Sequence, residues 1–149
     1  MKIDLKILSN SDIDEFIELI KIFENVFEME EFAIPENNYL QKLLNQQNFF
    51  VLIACIGEKV VGGLTVYTLQ QYYSVKPLAY IYDVGVLSEF QRQGIGKKMI
   101  DYLLEFCKNK GFKQVFVEAE NEDIHAVEFY RKTKKNSEMQ VTHFTYNLD

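Results

Sequence analysis

Val84-Gly85-Val86-Leu87-Ser88-Glu89-Phe90-Gln91-Arg92-Gln93-Gly94-Ile95-Gly96 is the stretch whose reading decides the fold. Upstream, Leu78 to Leu87 is dense in Tyr, Ile and Val and reads as a strand. Downstream, Ile95, Met99, Ile100, Leu103, Leu104 and Cys107 recur at helical spacing, which predicts a helix over Ile95–Asn109 with Gly111 as its stop. A strand thus enters a short loop, and a helix starts right after its glycines. The first N–H groups of a helix lack internal partners and carry partial positive charge, so this junction is a cradle for an anion. Arg92, Lys97 and Lys98 add positive charge beside it. The stretch has neither the Gly-x-Gly-x-x-Gly dinucleotide fingerprint nor the Gly-Lys-Ser/Thr of a P-loop.

Working outward, Lys2 to Leu8 alternates and reads as a strand. Asn10 or Ser11 then caps a helix carrying Ile13, Phe16, Ile17, Ile20, Phe23 and Phe27. A short helix follows over Glu36 to Asn45. Phe49–Ile56 and Lys59–Leu69 form a hairpin around Gly57-Glu58, and Tyr72 to Pro77 is a loop. Beyond the central helix come a strand over Val115 to Glu120, a helix from Asp123 to about Thr133, and one or two strands over Met139 to Leu148. The order βα(α)βββαβαβ(β), without linker or repeat, predicts one α/β domain over residues 1–149.

The chain has 149 residues, 16 Lys+Arg and 22 Asp+Glu, for a net charge of −6. That balance argues against nucleic acid, whose binders present a basic face. The longest apolar run, Phe49 to Ile56, is far short of the ~18 residues of a membrane span. The N-terminus lacks the pattern of a signal peptide. Cys55 and Cys107 lie in apolar segments and read as reduced, buried thiols, so a cytoplasmic location is expected. The charge is unevenly spread. Residues 22–41 and 114–130 each hold five acids and no Lys or Arg, whereas 91–113 holds six basic residues and two acids. Such a chain can present an anion site and a cation site, although most charge runs are solvated faces.

Gln91-x-x-Gly94-x-Gly96, after a strand ending at Val86, resembles the acetyl-CoA signature of the GNAT N-acetyltransferase superfamily, Arg/Gln-x-x-Gly-x-Gly/Ala. Asp123-Ile124-His125-Ala126-Val127-Glu128-Phe129-Tyr130-Arg131-Lys132 is similar to its Asn-x-x-Ala-x-x-Leu/Phe-Tyr-x-Lys helix. Shorter stretches at 39–44, 60–64, 80–86 and His143-Phe144 resemble aminoglycoside 3-N-acetyltransferases. One departure is that Lys134-Lys135 follows Thr133, where the family has Gly-Phe.

The resemblance implies a mixed, mostly antiparallel sheet flanked by helices, with a splayed cofactor strand. It implies acetyl-CoA as cofactor, no metal, a cationic small-molecule amine as acceptor, and a C2 homodimer. Backbone groups of Arg92, Gln93, Gly94, Ile95 and Gly96 would hold the pyrophosphate, with Gln91 opening the cradle and Lys97 or Lys98 assisting. Val84, Gly85 and Val86 would lie along the pantetheine arm, where an unpaired N–H can also serve an oxyanion. Tyr130 would protonate or orient the thioester sulfur. Asp83, costly to bury unless it faces a polar pocket, is the expected acceptor ligand and base. Glu118 and Glu120, predicted on one strand face, are expected with Asp123 to bind further amines or, in the case of the two glutamates, to supply the base directly or through water. His125 and His143 are alternative bases. No Ser/His/Asp or Cys/His nucleophile system is evident, so direct attack in a ternary complex is expected. The expected acceptor is the 3-amino group of an aminoglycoside. The other readings are a polyamine, another metabolite amine or a protein amine, and a non-catalytic acyl-CoA-binding module.

Overall fold

Five strands form one sheet in the order β1-β2-β3-β4-β5. They are β1 (Asp4–Ile7), β2 (Phe49–Ile56), β3 (Lys59–Leu69), β4 (Leu78–Val86) and β5 (Gln114–Val117). The first four pair antiparallel and β5 joins β4 in parallel. The helices are α1 (Ile13–Val26), α2 (Asn37–Leu44), α3 (Ile95–Asn109) and α4 (Ile124–Arg131). The computed structural model describes residues 1–149, which group into two compact units, 1–118 and 119–149.

In the first unit the strand alternation sorts side chains to two faces. One face packs under α1 and α2 and gathers Phe16, Leu19, Phe23, Leu40, Val51 and Ile53 into a buried cluster. On the other, Phe50 of β2 meets Phe106 of α3 at 5.5 Å between ring centroids. Ile95, Met99, Leu103 and Cys107 of α3 are all buried, which is the stripe the sequence predicts. Gly63 of β3 lies against α1: a Cβ there would stand 2.7 Å from Leu19 Cδ1 and from the Leu52 carbonyl. Only glycine fits so close an approach.

Two irregularities in β4 prepare the site. Thr65 pairs with Asp83 but Val66 pairs with Ile81, so Tyr82 is an extra, unopposed residue. This bulge switches the alternation. Above it Ile81, opposite Val66, lies on the α3 side; below it Asp83 and Gly85, opposite Thr65 and Gly63, lie on the α1 side. In addition, pairing with β5 stops at Ile81 and Val117. From Tyr82 to Val86 the strand is held by β3 alone, which is the expected splay.

Three predicted features differ. The cap of α1 is Asp12 rather than Asn10 or Ser11. Its carboxylate accepts the Ser9 N–H (2.7 Å), the Ser9 hydroxyl (3.0 Å) and the Lys6 ammonium (3.3 Å). The Ser9 N–H does most to hold its pKa below the ordinary carboxylate value. The strand expected over Val115 to Glu120 ends at Val117. Met139 to Leu148 forms no strand, and its apolar residues are exposed, from 58% at Val141 to 96% at Leu148. Alternation gives a segment two faces, but a strand exists only through a ladder partner.

The second unit is built on α4. Asp123 caps it, with Oδ1 accepting the Ala126 N–H at 3.2 Å. Arg131 donates to both carboxylate oxygens of Glu138, at 2.7 to 3.2 Å, beyond the helix end. That pair raises the arginine's pKa and lowers the glutamate's.

Candidate active site

The anion cradle is ordered by its own hydrogen bonds. Leu87 N–H donates to the Val61 carbonyl at 2.8 Å. A single 3-10 turn, Ser88–Phe90, follows, with Lys59 Nζ lying 5.3 Å from the Phe90 ring centroid. The Gln91 amide donates to the Val86 carbonyl at 2.8 Å, and the Gln93 amide to the Glu89 carbonyl at 3.3 Å. Arg92 adopts φ +62°, the left-handed region that bulky residues seldom enter, and Gly94 adopts φ +83° as the cap of α3. Left-handed residues aim successive N–H groups to one side, the geometry of an anion-binding nest. The first N–H of α3 with a partner in its own helix is that of Lys98, which donates to the Gly94 carbonyl at 3.0 Å. The N–H groups of Ile95, Gly96 and Lys97 precede that bond and remain for a ligand. No acid stands in the first turn, and Lys97 pairs with Asp101 at 3.0 Å.

The Leu87–Val61 bond also sets the phase of β4. In an antiparallel ladder alternate residues direct their backbone groups to opposite edges. Counting back from Leu87 through Gly85, the backbone groups of Val84 and Val86 point away from β3, to the side β5 has left. Of these, only the Val86 carbonyl is taken, by Gln91. Gly85 itself is covered by α1, the position of its absent Cβ lying 3.0 Å from Phe23 Cδ1.

Asp83 lies beside this open edge. Its N–H donates to Thr65 Oγ1 at 3.2 Å. The side chain is half-buried, and burial raises its pKa above the ordinary aspartate value. No group of the chain donates to its carboxylate. Next to it runs an aromatic face. Tyr67 and Tyr82 meet edge to face at 5.5 Å, Tyr82 and Tyr80 at 5.9 Å, and Tyr80 stacks on Phe116 at 4.7 Å. The Tyr80 hydroxyl donates to Glu118 Oε1 at 3.0 Å.

Of the predicted residues, Asp83, Val84, Gly85, Val86, the cradle from Gln91 to Lys97 and Glu118 belong to the first unit. Glu120, Asp123 and Tyr130 belong to the second. Glu118 and Glu120 do not share a strand face, because β5 ends at Val117 and Glu120 sits in the turn before α4. His125 and His143 are exposed. No three His, Cys, Asp or Glu side chains gather into a metal-binding group, and no helix is long and apolar enough to cross a membrane. Thr65, Tyr67, Tyr80 and Tyr82 are additions that sequence reading missed. The cluster of tyrosines in Tyr80-Ile81-Tyr82 was the available signal, but the bulge that gathers those rings follows no period.

Residues 13–134 match the Acetyltransferase (GNAT) family, and the chain belongs to it. Its class is that of an acetyltransferase. It is 53% identical to the aminoglycoside acetyltransferase meta-AAC0020 from an uncultured soil metagenomic sample, solved with trehalose. The TM-score is 0.97, covering 99% of this chain and 97% of that one. A second structure of that protein, 52% identical, is a complex with sisomicin. The aminoglycoside acetyltransferase HMB0005, also from an uncultured soil metagenomic sample, is 29% identical with a TM-score of 0.93 over the full length of both chains. N-alpha-acetyltransferase 50 of Danio rerio is 34% identical over 65 residues, which is 38% of this chain and 39% of that protein.

Proposed function

We propose that the chain is one catalytic domain that transfers the acetyl group of acetyl-CoA to the 3-amino group of an aminoglycoside. The observation that carries this reading is the Asp83 carboxylate, half-buried and unpaired, between an open strand edge and a tyrosine-lined face that ends at Glu118. The 53% identity to a protein solved elsewhere with sisomicin supports the acceptor class. The residues present fit the cofactor: the N–H groups of Ile95, Gly96 and Lys97 suit a pyrophosphate, and those of Val84 and Val86 suit an extended amide-bearing arm.

Acetyl-CoA supplies a thioester-activated acetyl group, which the amine nitrogen takes directly as the carbon–sulfur bond breaks. A protonated amine cannot attack, so Asp83 takes its proton, and burial makes this carboxylate a stronger base than an exposed aspartate. An open N–H at Val84 holds charge developing on the carbonyl oxygen. Tyr130, matched to the family tyrosine, returns a proton to the departing sulfur. Glu118, with the acids Glu120 and Asp123, attracts the remaining ammonium groups. The expected C2 homodimer would appear in sedimentation as twice the chain mass.

The test is acetyl transfer measured across 2-deoxystreptamine aminoglycosides, with the acetylated nitrogen located by NMR, and aminoglycoside tolerance of a susceptible host expressing the chain. Modification at another amine would revise the regiochemistry. No turnover with any member would overturn the acceptor class. The partial identity to an N-alpha-acetyltransferase favours a protein N-terminus as the second reading, and peptide acceptors in the same panel decide it.

A further inference from the structure

We infer that Tyr80 is a positioning residue for the acceptor, its phenol holding the Glu118 carboxylate in one orientation so that the second oxygen receives a further ammonium group of a polycationic amine. This rests on the acceptor reading above and adds a residue to it.

The ring of Tyr80 is fixed on several sides. Phe116, its register partner on β5, stacks on it at 4.7 Å with 7° between the planes. Tyr82 meets it edge-on at 5.9 Å and 89°, and Tyr82 is itself met by Tyr67. Tyr80 also lies in the part of β4 that is paired on both sides. Its hydroxyl is therefore set by the sheet. Glu118 differs in every respect. It is exposed, it follows the last ladder residue, Val117, and it has no partner in the chain besides Tyr80. A glutamate so placed samples several rotamers, and fixing it on binding costs entropy. The bond from Tyr80 to Oε1 selects one orientation beforehand and leaves Oε2 without a partner.

The donor stays protonated throughout the working range. Burial, and then Glu118 itself, push the phenol's pKa up to about 12. The chemistry recognised is an ammonium group reaching a pre-oriented carboxylate at the edge of an aromatic face, where cations are also drawn to the rings. An acceptor with a single amine has nothing to place there.

The test is steady-state transfer from acetyl-CoA to sisomicin by the full chain, as wild type, Tyr80→Phe, Glu118→Gln and the double variant. Phenylalanine keeps the ring and its stacking, and thermal melts check that it folds. Tyr80→Phe is expected to raise the KM for sisomicin roughly five-fold with kcat within about two-fold, as befits one partly solvated charge-assisted bond. The KM for acetyl-CoA should not move. The double variant should match Glu118→Gln alone, because the phenol acts through that carboxylate. Multiplicative effects in the double variant would overturn the inference. So would an unchanged sisomicin KM in Glu118→Gln, an exposed position where folding is not at stake. If wild type itself fails to acetylate sisomicin or any other aminoglycoside, the acceptor reading falls first, and this inference with it.

Discussion

The two halves of β4 behave as different materials. From Leu78 to Ile81 the strand is bonded to β3 on one side and β5 on the other. Ala79 and Ile81 are buried against α3, and Tyr80 is clamped by rings. From Tyr82 to Val86 one edge is open, the alternation has been reset, and a carboxylate stands on the α1 side, across the sheet from the apolar residue two positions earlier. One continuous strand is scaffold first and site second. A catalytic group benefits from rigid support close by, and here the support is the same chain a few residues upstream.

Substitutions on either side should fail in different ways. The largest effect is expected from Asp83→Asn, which keeps the shape but removes the base: kcat/KM should fall by about 100-fold to 1,000-fold. Burial raises this carboxylate's pKa, so activity should drop as acid protonates it, at a pH above that of an exposed aspartate. The acidic limb should disappear in the variant, and a pH–rate profile identical to wild type would remove Asp83 as the base. The stability sign runs the other way. A carboxylate with a raised pKa holds its proton more tightly when folded, so it weakens the fold at neutral pH and does so less as pH falls toward the raised value. Asp83→Asn should therefore melt no lower than wild type at pH 7.

Ile81→Ala, two residues away, should show the opposite profile. At 2% exposure it should lose about 2–5 kcal/mol in denaturant unfolding, with substrate KM values near wild type at temperatures where it is folded. Val84→Pro tests the open edge. Its N–H serves no ladder bond, so the fold should tolerate proline there, while kcat falls about 100-fold from loss of the donor to the developing oxyanion and the KM for acetyl-CoA changes less. The smallest effect is expected at Lys97→Ala, whose exposed pair with Asp101 should be worth under about 0.5 kcal/mol in thermal melts.

Local patterns were readable where one periodicity governs a segment. The stripe of α3, the hairpin at Gly57 and the glycine cap at Gly94 follow from residues a few positions apart, and they located the cradle. Asp83 stood out because a charge inside an apolar strand requires a reason. What escaped depends on distant partners or on a broken period. The Tyr80–Glu118 bond joins residues 38 positions apart, and nothing near either announces the other. The alternating tail after Met139 resembles a strand in composition yet has no ladder. Asn10, Ser11 and Asp12 are equally good capping types, and Asp12, which takes the cap position, turns its carboxylate to Ser9 and Lys6 rather than to a helix N–H.

The extra residue at Tyr82 also makes one codon of the gene dispensable to the register. Loss of that triplet would preserve the reading frame and every other amino acid, and it would leave Ile81 opposite Val66 and Asp83 opposite Thr65 as neighbouring pairs of a regular ladder. The aspartate and the two valines would keep their faces, and what would go is the bend of the bulge and the ring that meets both Tyr67 and Tyr80. Substitution at the same codon removes the ring but keeps the bend. In a collection of variants, deletion at position 82 should therefore cost activity more than stability.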